Sequence, residues 1–418
     1  MEGPHSIPFR SSFFRITLLG TVLVAVFVLY HVNRVRAAGG PIEPLHSSYR
    51  VLGPIESGNL LLFPVVESGR MPASAFITLD EGIKSGQVEV TEAGNVRGLV
   101  RPRPTRGRTD DGVLRSHPLP DPPTYRGDQV NTLVLVNNSD KPLLLLAGEI
   151  VTGGKQDRIV GKDRIVPAQS DPIDLGVFCI EHGRWTEDTA TFKSSANAPA
   201  QSLMVQPSVR AKAMVDKNQQ EVWDSVHGSI AGALAAPRPG LAVAEPRRAT
   251  PDPNSLGTTS YARAMQSTAI NEKVDEAAAP LMKSREQVLE KLREEHAVGV
   301  IVAVRGEIVW ADIFSDTDLL SRYWTKLVRS YAAESLMADQ MHSAPSITDA
   351  QHFLDAPSGG TETSIGSVGV YRYRELRSGG AETFVLESLL SGTDYDVHIS
   401  KVKLRGEVQR VDAPMVYR

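Results

Sequence analysis

Between Leu143 and Trp185 the chain concentrates the side chains that acid–base and anion chemistry require. Glu149, Lys155, Gln156, Asp157, Arg158, Glu181, His182, Arg184 and Trp185 stand there among short apolar runs. Gly153-Gly154 can turn backbone N–H groups toward one point, because neither residue has a Cβ in the way. Lys155 and Arg158 would hold an anion at that point, Arg158 through its planar fork. Gln156 and Asp157 complete the expected ligand-binding set with Arg184 and Trp185, whose indole would stack on a base or sugar ring. Glu149 follows four consecutive leucines, and a carboxyl group in such surroundings titrates high enough for proton transfer near neutral pH. Glu181, after the next apolar run, is the second acid–base candidate. The same charges also read as an internal ion-pair network, Glu149 or Glu181 with Lys155, Arg158 or Arg184. His182 reads as a surface or hydrogen-bonded residue, and Asp312 as a candidate addition to the site. Asp316 reads as a helix cap, and Trp223, Trp310 and Trp324 as core.

Several chemistries are excluded by spacing. There is no HExxH and no His or Cys cluster at zinc spacing, so no metal site is expected. No G-x-S-x-G elbow occurs. Gly148 to Lys155 superficially resembles a phosphate loop, but the glycines are wrongly spaced and Gln156 replaces the magnesium-holding hydroxyl. The one cysteine, Cys179, excludes an intramolecular disulfide and reads as a buried small apolar side chain. With 41% hydrophobic and 22% charged residues, the 418-residue chain can bury a large core. A net charge of -4 with interspersed signs leaves no footprint for nucleic acid.

The elements that must position these residues begin after a membrane segment. Residues 1–15 form a short basic tail, and Ile16 to Asn33 is an uncharged run that would span about 27 Å as a helix. It is expected to be a signal anchor, or a signal peptide if Val35-Arg-Ala37 is cleaved, which would release a secreted protein. The soluble part would then lie on one side of the membrane, expected to be the extracytoplasmic side. Residues 34–50 read as a linker, 51–405 as one domain, and 406–418 as a tail.

Within that domain the first half reads as strands. Asn59 to Val66 is one, with Pro64 implying an edge or a bulge. Phe76 to Leu79, then a short helix or turn to Gly86, precede a strand at Val88–Val90. Arg101 to Arg126 reads as a long surface loop, its four arginines at 101, 103, 106 and 108 solvated. Val130–Val136, Leu143–Leu146 and Ile173–Ile180 read as strands, and Ile159–Val166 as a hairpin around Gly161-Lys-Asp163. Helical spacing takes over from Leu203 to His227 and again from Tyr261 to Glu295, with a break near Pro280. The proline-rich stretch 235–257 lies between them as a loop. Gly299 to Phe314 is a hairpin turning at Arg305-Gly306. A helix capped by Ser315 follows to Met337, and strands at 367–376, 381–386 and 397–404 close the chain. Gly-Glu-Ile-Val recurs at 148–151 and 306–309, which reads as a shared turn shape. The expected fold class is α+β: an antiparallel β-rich core with a helical middle section, preceded by a single N-terminal membrane helix.

A family resemblance runs through these residues. Asn131 to Pro142, Gly148-Glu149, Gly154-Lys-Gln-Asp-Arg158, Val166-Pro167 and Cys179-Ile-Glu-His-Gly-Arg-Trp185 resemble the family of ARG and rhodanese-phosphatase-superfamily-associated proteins. So do Glu221-Val-Trp223, Ala311 to Phe314 and Trp324 to Tyr331, which extends the likeness over about residues 50–400. The resemblance carries over no activity. Its name implies association with ADP-ribose and phosphate chemistry. The expectation is therefore a membrane-tethered protein that binds or processes an anionic, nucleotide- or ADP-ribose-like small molecule. Its alternative is a non-catalytic envelope scaffold or protein-interaction module whose charge cluster is structural.

Overall fold

The computed structural model describes residues 49–67, 75–93, 132–183, 189, 191–194, 203–237, 256–283, 285–337, 343–356, 360–378 and 380–404. The expected membrane segment 16–33, the expected surface loop 101–126, Arg184, Trp185 and residues 238–255 lie outside them. Among the described residues no helix is long and apolar enough to cross a membrane. The fold is α+β, with antiparallel sheets and a helical middle section.

The strands fall into two groups along the chain. The first part supplies β1 (Tyr49–Val51), β2 (Ile55–Ser57), β3 (Leu60–Glu67), β4 (Ile77–Thr78), β5 (Val88–Glu92) and β6 (Thr132–Asn137). It continues with β7 (Leu143–Leu145), β8 (Ile150–Thr152), β9 (Arg158–Val160), β10 (Arg164–Val166), β11 (Ile173–Cys179) and β12 (Lys193–Ser194). The last part supplies β13 (Ala297–Val304), β14 (Glu307–Phe314), β15 (Thr361–Ser367), β16 (Tyr371–Ser378), β17 (Ala381–Ser388) and β18 (Asp396–Lys403). The two ends of the chain build one nine-stranded sheet in the order β1-β3-β13-β14-β18-β17-β16-β15, with β2 also on β3. The middle builds a six-stranded sheet, β12-β8-β9-β11-β6-β5, packed through Leu79, Val90, Leu135, Leu145 and Val177 on a three-stranded one, β10-β7-β4.

The large sheet is covered on both faces, which explains the uninterrupted apolar run of β13. Val300, Val302, Trp310, Phe314, Tyr373 and Phe384 face the helices and the smaller sheets. Val298, Ile301, Ile313, Val385 and Ile399 face the other way, under Ala350 and Leu354 of a terminal helix. The β13–β14 turn puts Arg305 at φ 50° and Gly306 at φ 85°, the left-handed pair that a two-residue hairpin turn needs. Gly148 has φ 86° in a different sheet connection, so the Gly-Glu-Ile-Val echo is a shared turn glycine.

The helices are α1 (Leu79–Lys84), α2 (Pro207–Ala211), α3 (Gln219–Ala235), α4 (Tyr261–Gln266), α5 (Thr268–Lys283), α6 (Arg285–Glu294), α7 (Thr317–Ser335) and α8 (Ile347–Asp355). Helix α2 runs straight into a π-helical turn, Lys212–Asp216, which ends at Lys217 in the left-handed region. Helix α7 lies at the centre, with Leu319, Tyr323, Trp324, Leu327 and Tyr331 buried on one side and Lys326, Arg329 and Glu334 buried on others.

Six expectations are corrected. Pro64 is not at an edge: β3 lies between β13 and the pair β1 and β2. Its carbonyl accepts from Leu52 N at 2.9 Å, so its nitrogen faces the gap where β1 gives way to β2, and the missing N–H breaks no ladder bond. Ile159 to Val166 is not a hairpin: β9 pairs with β8 and β11, whereas β10 pairs with β7 in the other sheet. Residues 367–376 are not one strand, because the chain reverses between β15 and β16. Ser315 does not cap α7; Asp316 does, as its own cap reading implied, accepting from Leu319 N at 2.8 Å. Pro280 stands inside α5, which runs on to Lys283. Trp310 and Trp324 are buried as expected, whereas Trp223 is half-buried, with its ring edge-on to His182 at 4.7 Å.

Candidate functional site

The loop between β8 and β9 carries Gly153 to Asp157. Gly153 has φ 119° and Gly154 φ 52°, conformations that residues without a Cβ adopt most readily. The amides are already engaged. Gly153 N donates to Asp157 Oδ1 at 3.1 Å, Gly154 N to Thr189 Oγ1 at 3.4 Å, and Lys155 N to Glu92 Oε1 at 2.9 Å. The Arg158 guanidinium lies 3.9 Å from the same Glu92 oxygen, and both side chains are buried. A Cβ on Gly154 would stand 2.8 Å from Glu92 Oε1 and 2.2 Å from the Phe192 ring. The three amides thus meet three different acceptors, and the buried Glu92 carboxylate takes the Lys155 amide and faces the Arg158 guanidinium.

Asp157 and Glu181 extend this network. Asp157 N donates to Glu181 Oε2 at 3.1 Å, and Ser260 Oγ donates to Asp157 Oδ2 at 2.5 Å. Ser260 is also the N-cap of α4, accepting from Arg263 N. Gln156, Asp157 and Glu181 are all buried, and Lys155 is half-buried. Cys179, on the neighbouring strand β11, is buried; burial pushes its thiol up to about 11, which removes it as a nucleophile.

Glu149 is engaged elsewhere. Its Oε1 accepts from Lys326 Nζ at 2.7 Å and its Oε2 from Leu146 N at 2.8 Å. Lys326, from α7, also meets Asp80 at 2.8 Å. Burial pushes the Glu149 carboxyl up, while the Lys326 ammonium opposes that shift. Lys326 itself is held protonated by the two carboxylates, which outweigh its burial. The two candidate acids thus meet different partners: Glu149 ties the small sheets to α7, and Glu181 ties the glycine loop to α4.

A third cluster was not foreseen as a unit. Asp312 of β14 accepts a bidentate pair from Arg210 of α2, at 2.9 and 3.1 Å. Ser400 Oγ donates to Asp312 at 3.1 Å, and the Tyr331 hydroxyl donates to it as well. His398 Nδ1 is 2.6 Å from Asp163 Oδ2, and its Nε2 lies 3.2 Å from Asp312 as a charge contact. The other Asp163 oxygen accepts from Ala147 N at 2.7 Å. Arg210, Asp312, Asp163 and His398 are all fully buried. Arg210 and the His398 contact hold Asp312 far below the usual carboxylate range against its burial. The two carboxylates around His398 raise it to about 9 against the opposing effect of burial. Two cations therefore balance two anions where the nine-stranded sheet, α2 and the β9–β10 connection meet. Asp312 was legible as a charge in an apolar strand, and His398 carries the same signal within Val397-His-Ile399. Arg210, Tyr331 and Asp163 carry no local signal.

The model of one family, the ARG and Rhodanese-Phosphatase-superfamily-associated Protein domain (ARPP-1), matches residues 48–402. The chain belongs to this family. The ARPP-1 match takes in all three charge networks and both groups of strands, so these sheets are parts of one family domain. No curated protein and no solved structure matches the chain.

The ARPP-1 domain also carries a cleft of about 560 Å³ beside the π-helical turn. Val215, Ile308, Val309 and Trp310 give it apolar walls, with Asp216, Glu221, Asp224, Glu307 and Glu334 against Lys212, Arg377 and Lys403 around them. Trp310 links the cleft to the buried cluster, since the Arg210 guanidinium stacks 4.5 Å above its ring. Glu334 accepts from Ser208 N, Ser208 Oγ and Gln206 Nε2 at 3.1, 2.8 and 3.1 Å, so α7 caps the short helix α2. Of the ligand-binding residues expected from the sequence, the described ones, Lys155, Gln156, Asp157 and Arg158, do not line this cleft. Among the described residues no group of three or more His, Cys, Asp or Glu is arranged to hold a metal.

Proposed function

We propose that this chain is a non-catalytic interaction module, tethered to a membrane by residues 16–33, whose charge clusters hold its fold together. One observation carries this reading: the amide of Lys155 and the guanidinium of Arg158 both face Glu92 Oε1. A nucleotide or ADP-ribose phosphate at that point would have to displace a buried carboxylate that already neutralises the loop. Glu149 is committed to Lys326, which argues against a free acid–base residue beside the loop. The test is a thermal-shift panel of nucleotides, ADP-ribose and sugar phosphates on wild type and Arg158→Ala. The expected result is no stabilisation of wild type and a large loss of stability in the variant. A phosphate-bearing compound that stabilises wild type but not an equally stable Arg158→Ala would overturn the reading.

The cleft beside the π-helical turn supports a second reading. Its acidic side chains outnumber its basic ones around an apolar wall, which suits a small amphipathic molecule bearing a cationic group. π-Helical turns often occur at functional sites. Ala211 lies in this wall. Hydrophobic amines should then stabilise wild type and not Ala211→Trp, and equal responses would exclude the cleft.

A further inference from the structure

The two edges of the nine-stranded sheet are treated differently. At the β1 edge, Gln351 of α8 plugs the strand: its Oε1 accepts from Val51 N at 2.9 Å and its Nε2 donates to Tyr49 O at 3.2 Å. A side-chain amide there takes the place of a neighbouring strand. At the other edge lies β15, all seven of whose residues are exposed. Among the described residues its one strand partner is β16. Sheet edges are usually blunted by lysine, proline or a bulge. β15, Thr-Glu-Thr-Ser-Ile-Gly-Ser, has neither residue, and its register with β16 runs without a break from Thr361 to Ser367. Two of the exposed large apolar side chains, Ile365 and Val368, sit on or beside it.

We propose that β15 pairs antiparallel with β15 of a second copy of this chain, joining the two nine-stranded sheets across a twofold axis at Ser364. The pattern of β15 is self-complementary in that register. Centring the pair on Ser364 matches all seven residues, with Thr361 opposite Ser367, Glu362 opposite Gly366 and Thr363 opposite Ile365. The strand's one charge then faces a glycine, so no like charges meet across the pair. The two Ile365 side chains become diagonal neighbours on one face, within reach of each other. Since the β1 edge is plugged, head-to-tail addition that would grow a filament is blocked, and the assembly closes at two copies. This inference does not depend on whether the glycine loop binds a ligand.

The full-length chain in detergent micelles provides the test. In the proposed register Ser364 faces its own copy at about 4.5–5.5 Å between Cα atoms, within the span of a disulfide. The two Thr361 residues would lie about 20 Å apart along the strand. The native Cys179 is buried and does not interfere. Mild oxidation should therefore join Ser364→Cys into a covalent dimer at least about ten-fold faster than Thr361→Cys. The wild-type mass in solution should be that of two chains, and Ser364→Lys, which sets two ammonium groups face to face, should be monomeric. A monomeric wild type would overturn the proposal. So would a dimer in which Ser364→Cys links no faster than Thr361→Cys, or one that Ser364→Lys leaves intact.

Discussion

At the scale of single residues, the glycine loop shows how far local spacing reaches. Gly153-Gly154 followed by Lys155 and Arg158 reads in the sequence as an anion cradle, and in the fold the Lys155 amide and the Arg158 guanidinium face one buried carboxylate. What was not legible is that the anion comes from Glu92, more than sixty positions earlier. Three predictions belong here. Arg158→Ala leaves Glu92 buried without its cation, and should cost about 3–5 kcal/mol of unfolding free energy in denaturant titrations. Gly154→Ala must place a Cβ at φ 52° against Phe192 and Glu92, and should cost about 1–3 kcal/mol in the same measurement. The third concerns His398, which is raised from an ordinary 6.5 to about 9 by Asp163 and Asp312. Between these values the folded state holds a proton that the unfolded state has released. Its contribution is therefore complete below pH 6.5 and is lost as pH rises through about 9. The loss, of order 3 kcal/mol, should be seen as a falling stability difference between wild type and His398→Gln across that window. A difference that stays flat from pH 6 to 9 would show that His398 is neutral in the fold.

At the scale of elements, apolar alternation located strands better than it located their partners. The β13–β14 hairpin was legible because Arg305-Gly306 is turn chemistry between two apolar runs. Ile159 to Val166 offered similar signals and misled, since Gly161 to Asp163 carries the chain from one sheet to another. The reason for that crossing is a long-range one: Asp163 reaches Ala147 N and His398, neither of which a local pattern can reveal. Pro64 misled in the same way, because the gap between β1 and β2 that accommodates it is a feature of the neighbouring strands. Helix α8 illustrates an element whose C-terminus is held by a distant side chain. Lys401 Nζ donates to Leu354 O and Ala356 O at 3.1 and 2.7 Å and stands over Phe353. Burial lowers its ammonium to about 8, while Asp355 opposes that shift. A cation at a helix C-terminus contributes about 0.3–1 kcal/mol, and up to about 2 when partly buried. Lys401→Met should therefore speed amide exchange throughout α8 by several-fold while leaving β13 and β14 unchanged. Unaltered exchange in α8 would mean that Gln351 and the packing of Ala350 and Leu354 hold it without Lys401.

At the scale of the whole molecule, three buried charge clusters stand at the seams between layers. Glu92 and Arg158 hold the six-stranded sheet to its own loop. Glu149, Lys326 and Asp80 join the small sheets to α7. Asp163, His398, Asp312 and Arg210 join the connection between the small sheets to the nine-stranded sheet and to α2. The α+β class and the helical middle were legible from the order of apolar patterns along the chain. The joining of both chain ends in one sheet, and the placement of charges at the seams, were not, because each depends on residues far apart in the sequence. The measurement that decides between a structural and a ligand-binding role for the glycine loop is a double-mutant cycle on Glu92 and Arg158 by equilibrium unfolding. Glu92→Leu and Arg158→Met should each be strongly destabilising, and the double variant should recover much of the loss, since it leaves no unpaired buried charge. Additive small effects, together with loss of stabilisation by a phosphate-bearing compound in Arg158→Met alone, would contradict a structural role and return Arg158 to ligand binding.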